Sequence, residues 1–382
     1  MIPGVAAGVE HSLFVDVEGR AWGCGSNRAG QLGLGYTSAQ EKLVQIPLLT
    51  NIISVSCGSF SSFFIDSAGL VWACGNNTFG QMGITGDEQQ TVISPTLLEN
   101  LPPIRAVASS YKHTLFLDYD GFVWSCGDNE TGVLGLGDKN NRLVPEKIKT
   151  LPQIHAVSVG PNHSLFLDVN GSVWSCGEND NGELGLCGGS YCASAVVPMQ
   201  IQNLPKITVI SAGYRDSLFL DESGTVWCCG LCSHLDPDGE LTFRPKVIEN
   251  IPPMSFVCSR CDFCLFIETN GNVWTCGFNY YGELGTSGSH FPSIVPYLSN
   301  ILFGAAGDGH TLLLDENGGI HVCGNNHYGQ LGLEEAQQNQ IKIRRTATIL
   351  EDLPPIRTPN DEKRKLRLKS ARNAMNDEVC VF

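Results

Sequence analysis

Short apolar stretches of five or six residues alternate with polar turns along nearly the whole chain, and none carries the three-to-four spacing of an amphipathic helix. The segment that begins at Leu151 shows the unit clearly. Ile154–Gly160 sets Ile and Val among small residues, and His163–Asp168 (HSLFLD) is apolar and compact. Val169-Asn170-Gly171 then predicts a tight turn, because Asn-Gly tolerates the positive φ angles of a hairpin. Ser172–Gly177 (SVWSCG) is the returning strand. After a long polar loop, Val196–Ile201 (VVPMQI) is a fourth strand, whose proline predicts an edge position.

The same unit is written seven times. Its third strand ends on an aromatic-x-Cys-Gly tetrad with cysteines at Cys24, Cys74, Cys126, Cys176, Cys229, Cys276 and Cys323, spaced by 47 to 53 residues. A fixed period of this size is the mark of a repeat array. Four antiparallel strands per copy and seven copies predict an all-β fold, a seven-bladed β-propeller of four-stranded antiparallel blades. The small-residue strand is expected innermost, where blades crowd at the axis. Trp22, Trp72, Trp124, Trp174, Trp227 and Trp274 are expected to wedge between blades. His321 stands in the seventh copy and predicts a weaker contact there. The propeller is expected to span residues 1–357, with a basic, flexible tail over 358–382. Blade and repeat coincide on this reading, so the ring is expected to close by packing of blade seven on blade one, without a shared strand.

A second phrase, N-x-x-G-[QEV]-[LM]-G, follows six of the tetrads, as at Asn27–Gly33 and Asn326–Gly332. Glycine-rich loops can cradle phosphate, but no Lys-Ser/Thr follows here and six near-copies cannot all be nucleotide sites. Left-handed backbone angles at the glycines are the simpler expectation.

Composition narrows the function classes. Charged residues make up 16% and the formal net charge is −15, which disfavours nucleic acid and anionic membrane except through a local basic patch. No apolar run reaches the length that spans a bilayer. No charged-then-apolar leader stands at residues 1–8, so a reducing cytoplasmic or nuclear setting is expected.

The phrases G-x-x-H-[ST]-L-x-L-D and G-x-V-W-x-C-G-x-N-x-x-G-x-L-G, with a proline-bearing strand after them, resemble the regulator of chromosome condensation repeat family. The resemblance covers almost the whole chain and implies a seven-bladed propeller. Its members include a nucleotide-exchange factor for a small nuclear GTPase, propeller domains of ubiquitin ligases, a ciliary GTPase regulator and a plant ultraviolet receptor. It therefore implies a scaffold whose function lives in its loops. The exchange factor acts through Asp and His residues on one loop face, and its G-D-x-H phrase occurs here once, at Gly307 with Asp308 and His310. The other copies offer Glu10 with His11, Tyr111 with His113, and Asn162 with His163, while Ser61, Asp216 and Phe263 replace the histidine. Cys187–Ala195 is the nearest thing to an inserted wedge. The receptor's repeated Gly-Trp-Arg-His-Thr phrase is absent.

From the residues alone, histidines spread over different blades predict hydrogen-bonded structural roles. Cys229, Cys232, Cys258, Cys261 and Cys264 have zinc-like spacing, yet two of them fall inside predicted sheets, so buried free thiols are expected. Cys187 and Cys192 could pair under oxidation. Asp16, Asp66, Asp118, Asp168, Asp221, Glu268 and Asp315 recur at one turn and are read as turn chemistry. No hydrolytic or redox set emerges, and neither metal nor cofactor is expected. Blade five has lost the loop phrase in Leu231–Pro245, which brings His234 and Asp236 forward as partner contacts. Lys363, Arg364, Lys365, Arg367, Lys369 and Arg372 make the C-terminal tail net positive, a candidate anionic contact or import signal. The expected function is a monomeric protein-binding platform in a small-GTPase pathway, with guanine-nucleotide exchange on a Ran-like GTPase as the alternative. The expected contact residues are Asp308, His310, Glu10, His11, His113, His163, His234 and Asp236.

Overall fold

A computed structural model describes residues 4–84, 90–186, 193–232, 235, 241–286, 291–333, 343–350 and 353–358. It shows seven sheets, each of four consecutive antiparallel strands. Blade one, for example, is Val5–Ala7, His11–Val15, Ala21–Gly25 and Gln40–Gln45. Blade six is Met254–Arg260, Phe263–Glu268, Val273–Gly277 and Ser293–Ile294. The described residues contain no helix. The first strands touch one another around the whole ring, and blade one contacts both blade two and blade seven. They are therefore the innermost strands of a closed propeller, and the second strands form its buried wall. The prolines Pro95, Pro145, Pro198 and Pro245 all lie on outermost strands, where no further ladder needs their missing N–H.

The tryptophans sit at blade seams. Trp174 packs with Leu115, Leu117 and Ile154 across blades three and four, and Trp227 does the same one blade on. Their burial is partial because five of the six indoles, all but Trp72, also reach a carboxylate of their own blade. Trp124 donates Nε1–H to Asp118 Oδ2 at 3.2 Å, while Asp118 Oδ1 accepts from the backbone of Asp120 and Phe122. The repeated turn acid thus has two jobs: it closes the hairpin and anchors the indole. His321 keeps that bond, with Nε2 3.1 Å from Asp315 Oδ2. The seventh copy therefore loses apolar bulk but retains the anchor, which corrects the expectation of a simply weaker contact. Inner strands are small-residue strands in most blades, but Phe256 and Phe303 meet at a tilt, with ring centroids 4.8 Å apart, between blades six and seven and restore apolar contact there. Asp118→Ala, which strands two turn amides and an indole, is expected to cost about 2–4 kcal/mol in urea unfolding.

Ring closure departs from the expectation. Ile356 forms a β-bridge with Asp16. Val17 N–H donates to Pro355 O at 3.0 Å, and Arg357 N–H to Val15 O at 2.9 Å. In blades two, three and four the same register position is filled from within the repeat, by Ile52 opposite Asp66, Ile104 opposite Asp118 and Ile154 opposite Asp168. The sequence Leu353-Pro354-Pro355-Ile356-Arg357 copies Leu101-Pro102-Pro103-Ile104-Arg105. Blade one's innermost strand is therefore spliced: its first position comes from the far end of the chain and the rest from Val5–Ala7. Packing of blade seven on blade one is reinforced by backbone pairing, contrary to the sequence reading.

Candidate functional site

The histidines join blades below the loop face. His11 Nε2 meets Ser62 Oγ of blade two at 3.0 Å, His113 meets Ser164, His163 meets Ser217, and His310 meets Ser12 across the seam. Each serine hydroxyl in turn donates to a loop carbonyl, as Ser12 does to Gln330 O and Ser217 to Glu183 O. A hydroxyl that donates there must accept from the imidazole, so Nε2 carries a proton. Burial depresses all four imidazoles, to about 3 for His11 and His113 and about 4 for His163 and His310. The ring edge fills the space above the preceding glycine: a Cβ on Gly8 would lie 2.2 Å from His11 Cε1, and one on Gly307 2.3 Å from His310 Cε1.

The same carbonyls accept the tetrad thiols. Cys24 Sγ lies 3.5 Å from Gln330 O and Cys229 Sγ 3.5 Å from Glu183 O. Burial pushes these thiols up, Cys323 to about 12, so they remain S–H donors. Each N-x-x-G loop is also tied to itself. Asn27 Oδ1 accepts from Leu32 N–H, Gln31 Oε1 accepts from Ala29 N–H, and Gly30 and Gly33 take the positive φ angles that the winding needs. The glycine-rich phrase is an interblade latch.

Above these latches, the turns between first and second strands surround an axial mouth of about 360 Å³. All seven blades contribute, among them Val9, Phe60, Tyr111, Pro161, Tyr214 and Asp308. Phe60 and Phe79 meet Tyr111 edge-on at 6.0 and 5.6 Å. Cations lie over the rim rings: Arg28 is 4.8 Å from the Phe60 centroid, Lys112 5.0 Å from Phe79, and Arg215 5.2 Å from Tyr214. Phe278, Tyr280, Tyr281 and Tyr328 extend the exposed aromatic surface over blades six and seven. Such rings, with arginines among them, are the residues that dominate protein interfaces.

Blade six breaks the pattern at this mouth. Arg260 occupies the position of the repeat glycine, where the other blades have Gly8, Gly58, Ser110, Gly160, Gly213 and Gly307. Arg260 pairs with Phe263 across a two-residue turn, and both turn residues are left-handed, Cys261 at φ 39° and Asp262 at φ 52°. No other turn of this type has a positive φ among the described residues. Holding two non-glycine residues there costs about 1–2 kcal/mol each. Phe263 stands in the place of the latch histidine, packed with Leu284 and Ala306. The result is a guanidinium in the mouth, 3.1 Å from Asp308 Oδ1 of blade seven.

The structure separates the expected contact residues. Asp308 lines the mouth and is one-third exposed, paired with Arg260. Glu10 lies on the same face, 3.3 Å from Arg28. His11, His113, His163 and His310 are buried to 0–1% exposure, which corrects their assignment as surface contacts: their rings are taken up by the neighbouring blade. His234, Asp236, Cys187, Cys192 and the tail beyond Thr358 lie outside the described residues. Cys229, Cys232 and Cys264 are buried and in no disulfide, while Cys258 and Cys261 are half-buried. Among the described residues no group of three or more His, Cys, Asp or Glu side chains is placed to hold a metal. No described helix is long and apolar enough to cross a membrane. Arg260 escaped the sequence reading, although a charged residue at a glycine position of a repeat was its visible signal.

Seven blades, six of them carrying this latch loop, define an RCC1-type propeller. The chain belongs to the RCC1-like domain family, whose model matches residues 2–201, and a model of the RCC1 repeat matches residues 304–330. It is similar to the ultraviolet-B receptor UVR8 of Arabidopsis thaliana, 26% identical over 38% of this chain and 34% of the receptor. It is also similar to human RCC2, 29% identical over 33% of this chain and 24% of RCC2. The matched stretches thus span about a quarter to a third of these relatives. In fold it resembles Prp20p of Saccharomyces cerevisiae, whose structure was described with its binding properties to Gsp1p and histones. That likeness has a TM-score of 0.76 at 19% identity and covers 89% of this chain and 88% of Prp20p.

Proposed function

We propose that this propeller is a docking platform for a protein of a small-GTPase pathway, and that the partner sits on the loop face around the axial mouth. The observation that carries this reading is the segregation of features. Residues common to the blades are spent on latches, whereas aromatic rings, stacked cations and the Arg260–Asp308 pair gather at one mouth. Membership of a family that includes RCC2, and the fold shared with the Gsp1p-binding Prp20p, support the choice of partner class.

Guanine-nucleotide exchange is the second reading, favoured by the Gly307-Asp308-x-His310 phrase. Asp308 is engaged by Arg260 and His310 is buried and neutral, so the platform reading is preferred. Release of a fluorescent guanine nucleotide from a panel of small GTPases, Ran-like ones included, tests both. Saturable binding with less than a twofold change in release is the expected result, with affinity reduced about tenfold or more by Tyr111→Ala with Tyr214→Ala. Acceleration that Asp308→Ala abolishes would establish exchange instead. Absence of binding across the panel would overturn the pathway assignment.

A further inference from the structure

We infer that Arg260 is the recognition element of the axial mouth, and that it receives a carboxylate presented by a polypeptide segment of the partner. The inference rests on the docking reading above and gives it a residue and a ligand chemistry. Arg260 is held side-on. Its Nε meets Asp308 Oδ1, while no hydrogen bond engages Nη1 or Nη2 among the described residues. A guanidinium gripped at Nε keeps its second edge, the Nη pair, free for another acceptor. That edge matches the two oxygens of a carboxylate.

The mouth decides which anion fits. Asp308 stands beside the guanidinium, so a dianionic phosphate would meet a fixed like charge at close range. A monoanionic carboxylate meets half of that repulsion and keeps the bidentate match. The surrounding wall is apolar and aromatic, with Phe60, Tyr111, Pro161 and Tyr214 within the same cavity. A segment with an Asp or Glu, or a chain-terminal carboxylate, flanked by an apolar side chain would satisfy both parts. The backbone supports the assignment. The left-handed Cys261-Asp262 turn, absent from the other six blades, places a long cationic side chain where the repeat has no room for one. Asp308 then acts as the positioning residue: it orients the guanidinium and sets the charge of the mouth.

The test uses the full chain labelled with 15N-arginine and small probes that carry the two recognition features. N-acetyl-L-phenylalanine has both the carboxylate and the ring, N-acetyl-L-phenylalaninamide has the ring alone, and inorganic phosphate is the competing anion. The Arg260 Nε–H resonance, assigned by its loss in Arg260→Lys, is expected to shift saturably with the carboxylate probe. The amide should bind about tenfold more weakly or not at all, and phosphate more weakly than the carboxylate. Arg260→Gln, followed by titration calorimetry because it lacks the reporter, should lose binding of the carboxylate probe at an unchanged melting temperature. Asp308→Asn should tighten the carboxylate several-fold by removing the like charge. Equal responses to acid and amide, preference for phosphate, or weakening in Asp308→Asn would each overturn the inference. If the GTPase partner still binds Arg260→Gln at full affinity, the carboxylate inference fails while the platform reading stands. If the probes bind as expected and no partner of the panel does, the pathway reading alone fails.

Discussion

Acidification from pH 7 to pH 5 is expected to lower the folding free energy of this propeller by several kcal/mol. Four imidazoles, His11, His113, His163 and His310, are buried and neutral, with affinities for protons depressed to about 3 or 4 by burial. In the unfolded chain they titrate near 6.5. Between these values the unfolded state binds more protons, so stability is complete above about pH 6.5 and falls as the pH drops toward 4. Each site contributes about 1.4 kcal/mol per pH unit, and four together lose roughly 8 kcal/mol by pH 5. That is comparable to the whole stability of an ordinary domain. Two buried loop carboxyls, Glu183 and Glu283, are shifted upward by burial and offset a part of the loss. Urea unfolding at pH 7, 6 and 5 should show the slope, and His163→Gln should reduce it by about a quarter. A flat profile would mean that the imidazoles are not neutral rivets.

Chains that stop at Asp352 are expected to unfold far more easily than chains that stop at Thr358. The missing piece holds Ile356, which is 1% exposed, and the backbone bonds from Val17 and to Val15. It also holds Arg357, whose Nη1 reaches Ile52 O of blade two. Ile356→Ala alone should cost about 2–5 kcal/mol, the range for emptying a buried aliphatic site. The shorter chain should lose more and should self-associate, because the end of blade one's second strand would present an unpaired edge. Thermal unfolding with light scattering reads both effects. Equal midpoints for the two chains would show that side-chain packing closes the ring unaided.

The fold was legible because its signal is repeated. Seven copies of one strand pattern outweigh any single ambiguous stretch, and Trp124, Asp118 and Cys126 each have counterparts to check against. Interactions between copies were harder to read. The partner of His113 is Ser164, about one period away, so a single repeat viewed alone shows a histidine without a role. The splice was written in the chain as a second Leu-Pro-Pro-Ile-Arg, but its meaning depends on knowing that Val5–Ala7 begins opposite Phe14, two register positions short of Asp16. Arg260 was hidden for another reason. A departure from a repeat reads as drift until the backbone shows a strained turn that delivers it to an open cavity.

The spliced strand also sets an order on biosynthesis. Blades two to seven can form as the chain emerges, since each carries its own four strands. Blade one is made before the others yet lacks its opening residue until Ile356 has cleared the ribosome, so until then the nascent chain is an open arc with an unfinished first blade. Chaperone capture of that arc, and premature termination anywhere before residue 356, would act on the same exposed edge.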